Sequence, residues 1–165
     1  MTWLELGDIE RAPRFKKILA SHTNEIYLDM DYMHQLLKCY IIGDFLQAEG
    51  FQNSVMNLMI ARCKLSVESL KACTGLDSTS IRYIISNTVP DSLLRRMIYD
   101  YWVTILGRKN IMEDEIPKEY YHQLSIYVTV ANEQGRKLKP PWNQDRCVYH
   151  IHRGQPDHFS CTKKQ

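Results

Sequence analysis

The chain has 165 residues, of which 44% are hydrophobic and 24% charged, with a formal net charge of +2. Those values suit one soluble globular domain with room for a sizeable core, and the two signs are mixed along the chain. No single-sign field exists to track nucleic acid or an anionic membrane, and no apolar run approaches the roughly 20 residues that cross a bilayer. The opening MTWLELGDIER carries acidic residues where a secretory signal needs a basic start and an apolar stretch. Five cysteines at irregular spacing, most of them in helical patterns, suit a reducing interior, and the expected location is cytoplasmic or nuclear.

Residues 1–31 form a mixed segment in which Arg11, Pro13, Arg14, Lys16 and Lys17 interrupt any long element, with a short extended piece at Glu25 to Leu28. From Tyr32 the spacing turns helical. Met33, Leu36, Leu37, Tyr40, Ile41, Phe45 and Ala48 recur at i, i+3, i+4, i+7 and predict an amphipathic helix. Asp44 falls within that face, so it is read as a clamp that accepts from the free backbone N–H groups at the start of the next helix, the alternative being an Asp at the edge of the stripe that reaches water. Gly50 suits a left-handed helix end. Beyond it Phe51, Val55, Leu58 and Met59 make one stripe, and Met56, Ile60 and Cys63 another beside it. So wide an apolar girth places this helix centrally, with Gln52, Asn53, Ser54, Asn57 and Arg62 as its polar residues.

Val67, Leu70 and Cys73 form a short apolar set before a turn at Gly75, and Asp77 or Ser78 caps a helix carrying Ile81, Ile84 and Ile85. Thr88 and Pro90 end it. Asp91 and Ser92 both suit the cap of the next helix, whose Leu94, Met97, Ile98, Tyr101, Trp102 and Ile105 form an apolar stripe opposite Arg95, Arg96 and Asp100. Gly107 stops it. After an acidic turn at Glu113 to Glu115, Pro117 opens a last helix that directs Tyr120, Tyr121, Leu124, Tyr127, Val128 and Ala131 at its neighbours and ends near Gly135. Residues 136–165, with Pro140, Pro141, Trp142 and a Cys/His group, have almost no helical period and read as a flexible, coil-like tail.

The metal-ligand character of the chain lies in that tail. Cys147 with His150, and His158 with Cys161, are close pairs able to supply two ligands each to a tetrahedral zinc, though the spacing fits no standard finger; such a zinc is structural. The plain reading, a tail without metal or cofactor, is preferred. Trp142 after two prolines either docks on a partner or folds back on the bundle. His34 and His122 are the available bases and Cys39, Cys63 and Cys73 the available nucleophiles. No phosphate loop, dinucleotide fingerprint, zinc-protease pair or nucleophile elbow accompanies them, so the chain is expected not to be an enzyme. Arg95 with Arg96, and Arg108 with Lys109, are read as solvated basic pairs.

The run from Leu36 to Met59 resembles the helical half of the BTB/POZ domain of many fungal proteins. The family pattern of tyrosine, two aliphatics, a small residue and aspartate stands here as Tyr40, Ile41, Ile42, Gly43 and Asp44, followed in the second helix by Asn53. Ile81 to Val103 resembles the region after the BTB core, with Ser92, Leu94, Arg95 and Arg96 in the matching places. The resemblance covers residues 32–103. The resemblance places the family's amino-terminal half, which builds the dimer surface, before the matched region, where this sequence has 31 residues, so family dimerisation is not expected to carry over.

The expected fold is mainly α: a small helical bundle of five or six helices over residues 32–135, resembling the carboxyl-terminal half of a BTB/POZ domain with a helical extension, then the tail at 136–165. The resemblance implies a non-catalytic protein–protein interaction module, an adaptor for a cullin-type ligase scaffold or a transcription-associated scaffold, with other proteins as partners. The competing reading is a small zinc-stabilised regulatory protein acting through its Cys/His tail.

Overall fold

The computed structural model describes residues 28–68, 76–106 and 118–152. Among them stand five α-helices: α1 (Leu28–Phe45), α2 (Glu49–Glu68), α3 (Ser78–Asn87), α4 (Leu93–Leu106) and α5 (Lys118–Glu133), followed by 3-10 turns at Pro141–Asn143 and Arg146–Tyr149. The mainly helical class expected from the spacing is the one observed. Gly75, Gly107, Pro117, Cys73, Cys161 and His158 lie outside the described residues, as does most of the extended piece proposed at Glu25 to Leu28; Leu28 itself opens α1.

α1 and α2 form an antiparallel-type hairpin of adjacent helices, closed by a turn that Gly50 does not make. The left-handed residue is Gln47, at φ 52°. The Ala48 N–H reaches back to the Gly43 carbonyl at 2.9 Å and the Gln47 N–H to the Asp44 carbonyl at 3.0 Å, the paired bonds that close a helix end around a left-handed residue. Gly50 sits inside α2 with open space around its Cα. The glycine that the hairpin requires is Gly43: a Cβ there would lie 2.7 Å from Gln52 Cγ and 2.9 Å from Phe51 Cδ1, so its absence sets how closely the helices approach.

α2 packs against α1 and α4, and α4 touches α2, α3, α5 and both 3-10 turns. Met33, Leu36, Leu37, Met56, Met59, Cys63, Ile81, Leu94, Met97, Ile98, Tyr101 and Trp102 share one continuous core, as their periodicity predicts. The caps resolve as Asp77, whose carboxylate accepts from the Ser80 N–H at 2.8 Å, and Ser92, whose hydroxyl accepts from the Arg95 N–H at 3.3 Å.

Three readings of side-chain placement change. Asp44 and Phe45, assigned to the inward face of α1, are exposed, Phe45 by 87%. The inward stripe ends at Gly43, where α2 crosses, and the last turn of α1 projects beyond it. Arg95 and Asp100, read as a solvated face of α4, are buried. α4 is enclosed on that side too, by α3 next to Arg95 and by the carboxyl-terminal turns next to Asp100. Gln52, read as a polar residue of α2, is buried at the α1 crossing.

Residues 136–152 lack α-helical period, as their composition predicts, yet they are not loose. After the left-handed Gly135 at φ 64° the chain turns back and lies across α2 and α4, with Pro141, Tyr149 and His150 buried and Trp142 and Val148 packed on the core. We call residues 141–152 the strap.

Candidate functional site

The polar groups concentrate where the strap crosses α2 and α4. Asp100 stands in the run Met97-Ile98-Tyr99-Asp100-Tyr101-Trp102 on the most enclosed helix, and a carboxylate buried there needs donors on both oxygens. Its Oδ1 accepts from the Tyr127 hydroxyl of α5 at 2.7 Å. Its Oδ2 accepts from the Tyr149 hydroxyl at 2.6 Å and the Gln144 amide at 3.0 Å, both from the strap. One side chain thus ties three elements. The arrangement is visible in the phenols: burial and then the bond to Asp100 push Tyr127 up to about 12 and raise Tyr149 as well. The Arg136 guanidinium lies 4.6 Å over the Tyr127 ring and that of Arg96 6.0 Å over Tyr149, so two cations flank the buried carboxylate through the faces of its tyrosine partners.

α2 holds the other side of the strap. The Asn53 amide donates to the Ile151 carbonyl at 3.0 Å, while its Oδ1 accepts the Ile151 N–H at 2.8 Å. One turn further along, Asn57 Oδ1 lies 3.0 Å from His150 Nε2. Because the Asn oxygen only accepts, this contact assigns the proton to Nε2. Burial, and after it His152 and Arg146, lower the His150 pKa to about 4, with Asp145 acting in the opposite direction.

Arg95 forms a second polar centre. Its guanidinium donates to Thr88 Oγ1 at 2.9 Å, to the Ile85 carbonyl at 2.6 Å and to the Thr88 carbonyl, meeting the free carbonyls that end α3. It is a structural cap, which removes it from any basic surface.

The residues singled out by sequence fall as follows. Asn53 is in the strap contact. Asp44 stands at the exposed end of α1, where its carboxylate accepts from the Gln52 amide of α2 at 3.3 Å. Cys147, half-buried, shares the second 3-10 turn with His150. His158 and Cys161 lie outside the described residues, and among those described no three His, Cys, Asp or Glu side chains stand where they could hold a metal ion. His34 packs its ring on Tyr83 at 5.2 Å, and the Cys63 thiol, fully enclosed, is pushed up to about 12. Sequence reasoning missed Asp100, Asn57, Gln144 and Tyr149 as a set. The one available signal was an acidic residue flanked on both sides by large apolar ones.

A separate feature lies at the α1–α2 turn. Ile42, Phe45 and Leu46 are exposed by 54%, 87% and 54%. Among the described residues no helix is long and apolar enough to cross a membrane.

The geometry defines a helical bundle closed by a polar-anchored strap. Comparison with protein-family models, curated proteins and solved structures returned no match, so the functional reading stands on this geometry.

Proposed function

We propose that the chain is a non-catalytic protein–protein interaction module that meets its partner through the α1–α2 turn. The observation that carries this reading is Phe45, 87% exposed between Ile42 and Leu46 on one helical turn. Holding three large apolar side chains in water costs hydrophobic free energy that a partner's surface recovers, and aromatic anchors of this kind dominate interface energetics. The turn is also built firmly: Gly43 allows close helix crossing and Gln47 closes the helix end. A rigid anchor loses little conformational entropy on binding. The resemblance of Leu36–Met59 and Ile81–Val103 to the fungal BTB/POZ helical region makes the partner class an adaptor's, with a cullin-type ligase scaffold as the specific case.

Affinity purification from native cell extract, with wild-type protein and a Phe45→Ser variant in parallel, tests this. Recovery of a defined partner, with a cullin as the specific expectation, and its loss with Phe45→Ser is the expected outcome. An identical set of recovered proteins with both forms overturns the assignment of the turn.

A further inference from the structure

The groove under the strap reads its occupant as a short peptide in which Tyr149 ends a 3-10 turn and His150, at φ -96° and ψ 147°, continues in extended backbone. Asn53 satisfies both main-chain groups of one residue, Ile151, at 2.8 and 3.0 Å. That is recognition of backbone, indifferent to the side chain, as an adjacent strand would provide. Asn57 offers an acceptor to the residue before, filled by His150 Nε2 at 3.0 Å. Asp100 offers an acceptor at the bottom of the groove, filled by the Tyr149 hydroxyl at 2.6 Å, with the Tyr149 ring wholly enclosed. Three side chains on two helices thus define a register: a tyrosine, a side-chain donor, then any residue with a free N–H and C=O.

We propose that this groove between α2 and α4 is a peptide-recognition site, occupied in the free protein by the chain's own strap and able to exchange it for a tyrosine-containing segment of another protein. The strap's construction fits exchange. Its two 3-10 turns span three and four residues, too short for a helix ladder of their own, and side-chain hydrogen bonds with the packing of Pro141, Trp142, Val148 and Tyr149 hold it, so it opens separately from the five helices beneath it. Tethering gives the strap an effective concentration on the order of millimolar, so in wild-type protein it masks the site against weaker ligands. None of the reading residues belongs to the exposed turn at Ile42, Phe45 and Leu46, so the two surfaces stand or fall separately.

The probe is a fluorescein-labelled peptide of residues 139–152, added to the full chain under reducing conditions. A Gln144→Ala, Tyr149→Phe chain, which removes two strap donors to Asp100 and leaves the groove side chains in place, is expected to bind it at least about tenfold more tightly than wild type, and adding Asn53→Ala is expected to abolish that gain. No binding to the loosened chain overturns the proposal, as does binding that survives Asn53→Ala. Hydrogen exchange of wild-type protein gives an independent reading: the Ile151 amide is expected to exchange at least about tenfold faster, relative to its intrinsic rate, than the Met97 amide of α4. Equal protection would mean that the strap opens only when the bundle unfolds, and would overturn exchange even if the variants fail to fold.

Discussion

Asn53 and Ile151, 98 residues apart, are joined by a double hydrogen bond in which one carboxamide holds both main-chain groups of the other residue. Neither group could be satisfied by a helix ladder, since Ile151 lies past the last 3-10 turn, and at this half-buried position losing both bonds costs about 1–2 kcal/mol. Asn53→Ala should therefore destabilise the protein by about 1–2 kcal/mol in urea unfolding and accelerate exchange of the Ile151 amide. A variant with unchanged midpoint and unchanged Ile151 protection would show that the strap is held by other contacts.

Asp100→Leu replaces a buried carboxylate by an apolar group of similar size and leaves the Tyr127 and Tyr149 hydroxyls without this acceptor, while the Gln144 amide keeps the Lys139 carbonyl at 2.9 Å. Two hydroxyls stranded at one point should cost about 3–5 kcal/mol, well beyond an ordinary surface substitution. Asp100→Asn, which keeps an oxygen but turns one acceptor into a donor, should fall between that variant and wild type. Thermal melting of the three proteins gives the order directly.

His150 makes stability depend on pH. Its folded pKa, about 4, lies below its ordinary value of 6.5 because the imidazolium would lose water and face Arg146 and His152. Between those values the unfolded chain binds the proton that the folded chain refuses, so this contribution is complete above pH 6.5 and is lost as pH falls toward 4. His150→Gln, which can still donate to Asn57, should lose about 1–2 kcal/mol less than wild type between pH 7 and pH 4.5. Parallel acid titrations of the two proteins would contradict this.

The two glycines near the α1–α2 turn should respond in opposite directions. Gly43→Ala places a methyl group 2.7 Å from Gln52 Cγ and 2.9 Å from Phe51 Cδ1, and the crossing must open, at a cost of about 1–3 kcal/mol. Gly50→Ala meets nothing within 4 Å at a helical position and should stabilise by about 0.4–1 kcal/mol. Denaturant midpoints that move together would contradict the close approach at Gly43.

Trp102→Ala should cost about 3–5 kcal/mol, since the indole is 4% exposed within the core cluster. Asp44→Leu, by contrast, should change stability by less than about 1 kcal/mol, because the carboxylate is exposed and its amide partner Gln52 also reaches the Tyr40 carbonyl. A melt of the Asp44→Leu protein lowered as far as that of Trp102→Ala would restore the buried clamp.

The elements were legible because apolar periodicity survives in any helix that buries one side: Met33, Leu36, Leu37 and Tyr40, or Leu94, Met97, Ile98 and Trp102, point inward as spaced. The caps were legible for a similar reason, since Asp77 and Ser92 act on amides three residues away. The candidate site was barely legible. Asp100 and Arg95 share the charge pattern of a solvated face, and nothing local distinguishes a carboxylate in water from one bound by tyrosines 27 and 49 residues away. Likewise Gly50 has the composition of a helix stop, but Gln47 takes the left-handed position.

What the sequence determined alone is therefore the helical class, the helix caps and most of the apolar core, all consequences of spacing within a few turns of one chain. The tertiary structure decided the rest: that α4 is enclosed on its charged side, that Phe45 points to solvent, and that residues 141–152 lie as a strap across α2 and α4. The physical reason is the same in each case. The free energy of a polar or apolar side chain depends on what packs against it, and for Asp100, Asn53 and His150 those partners come from segments that only folding brings near.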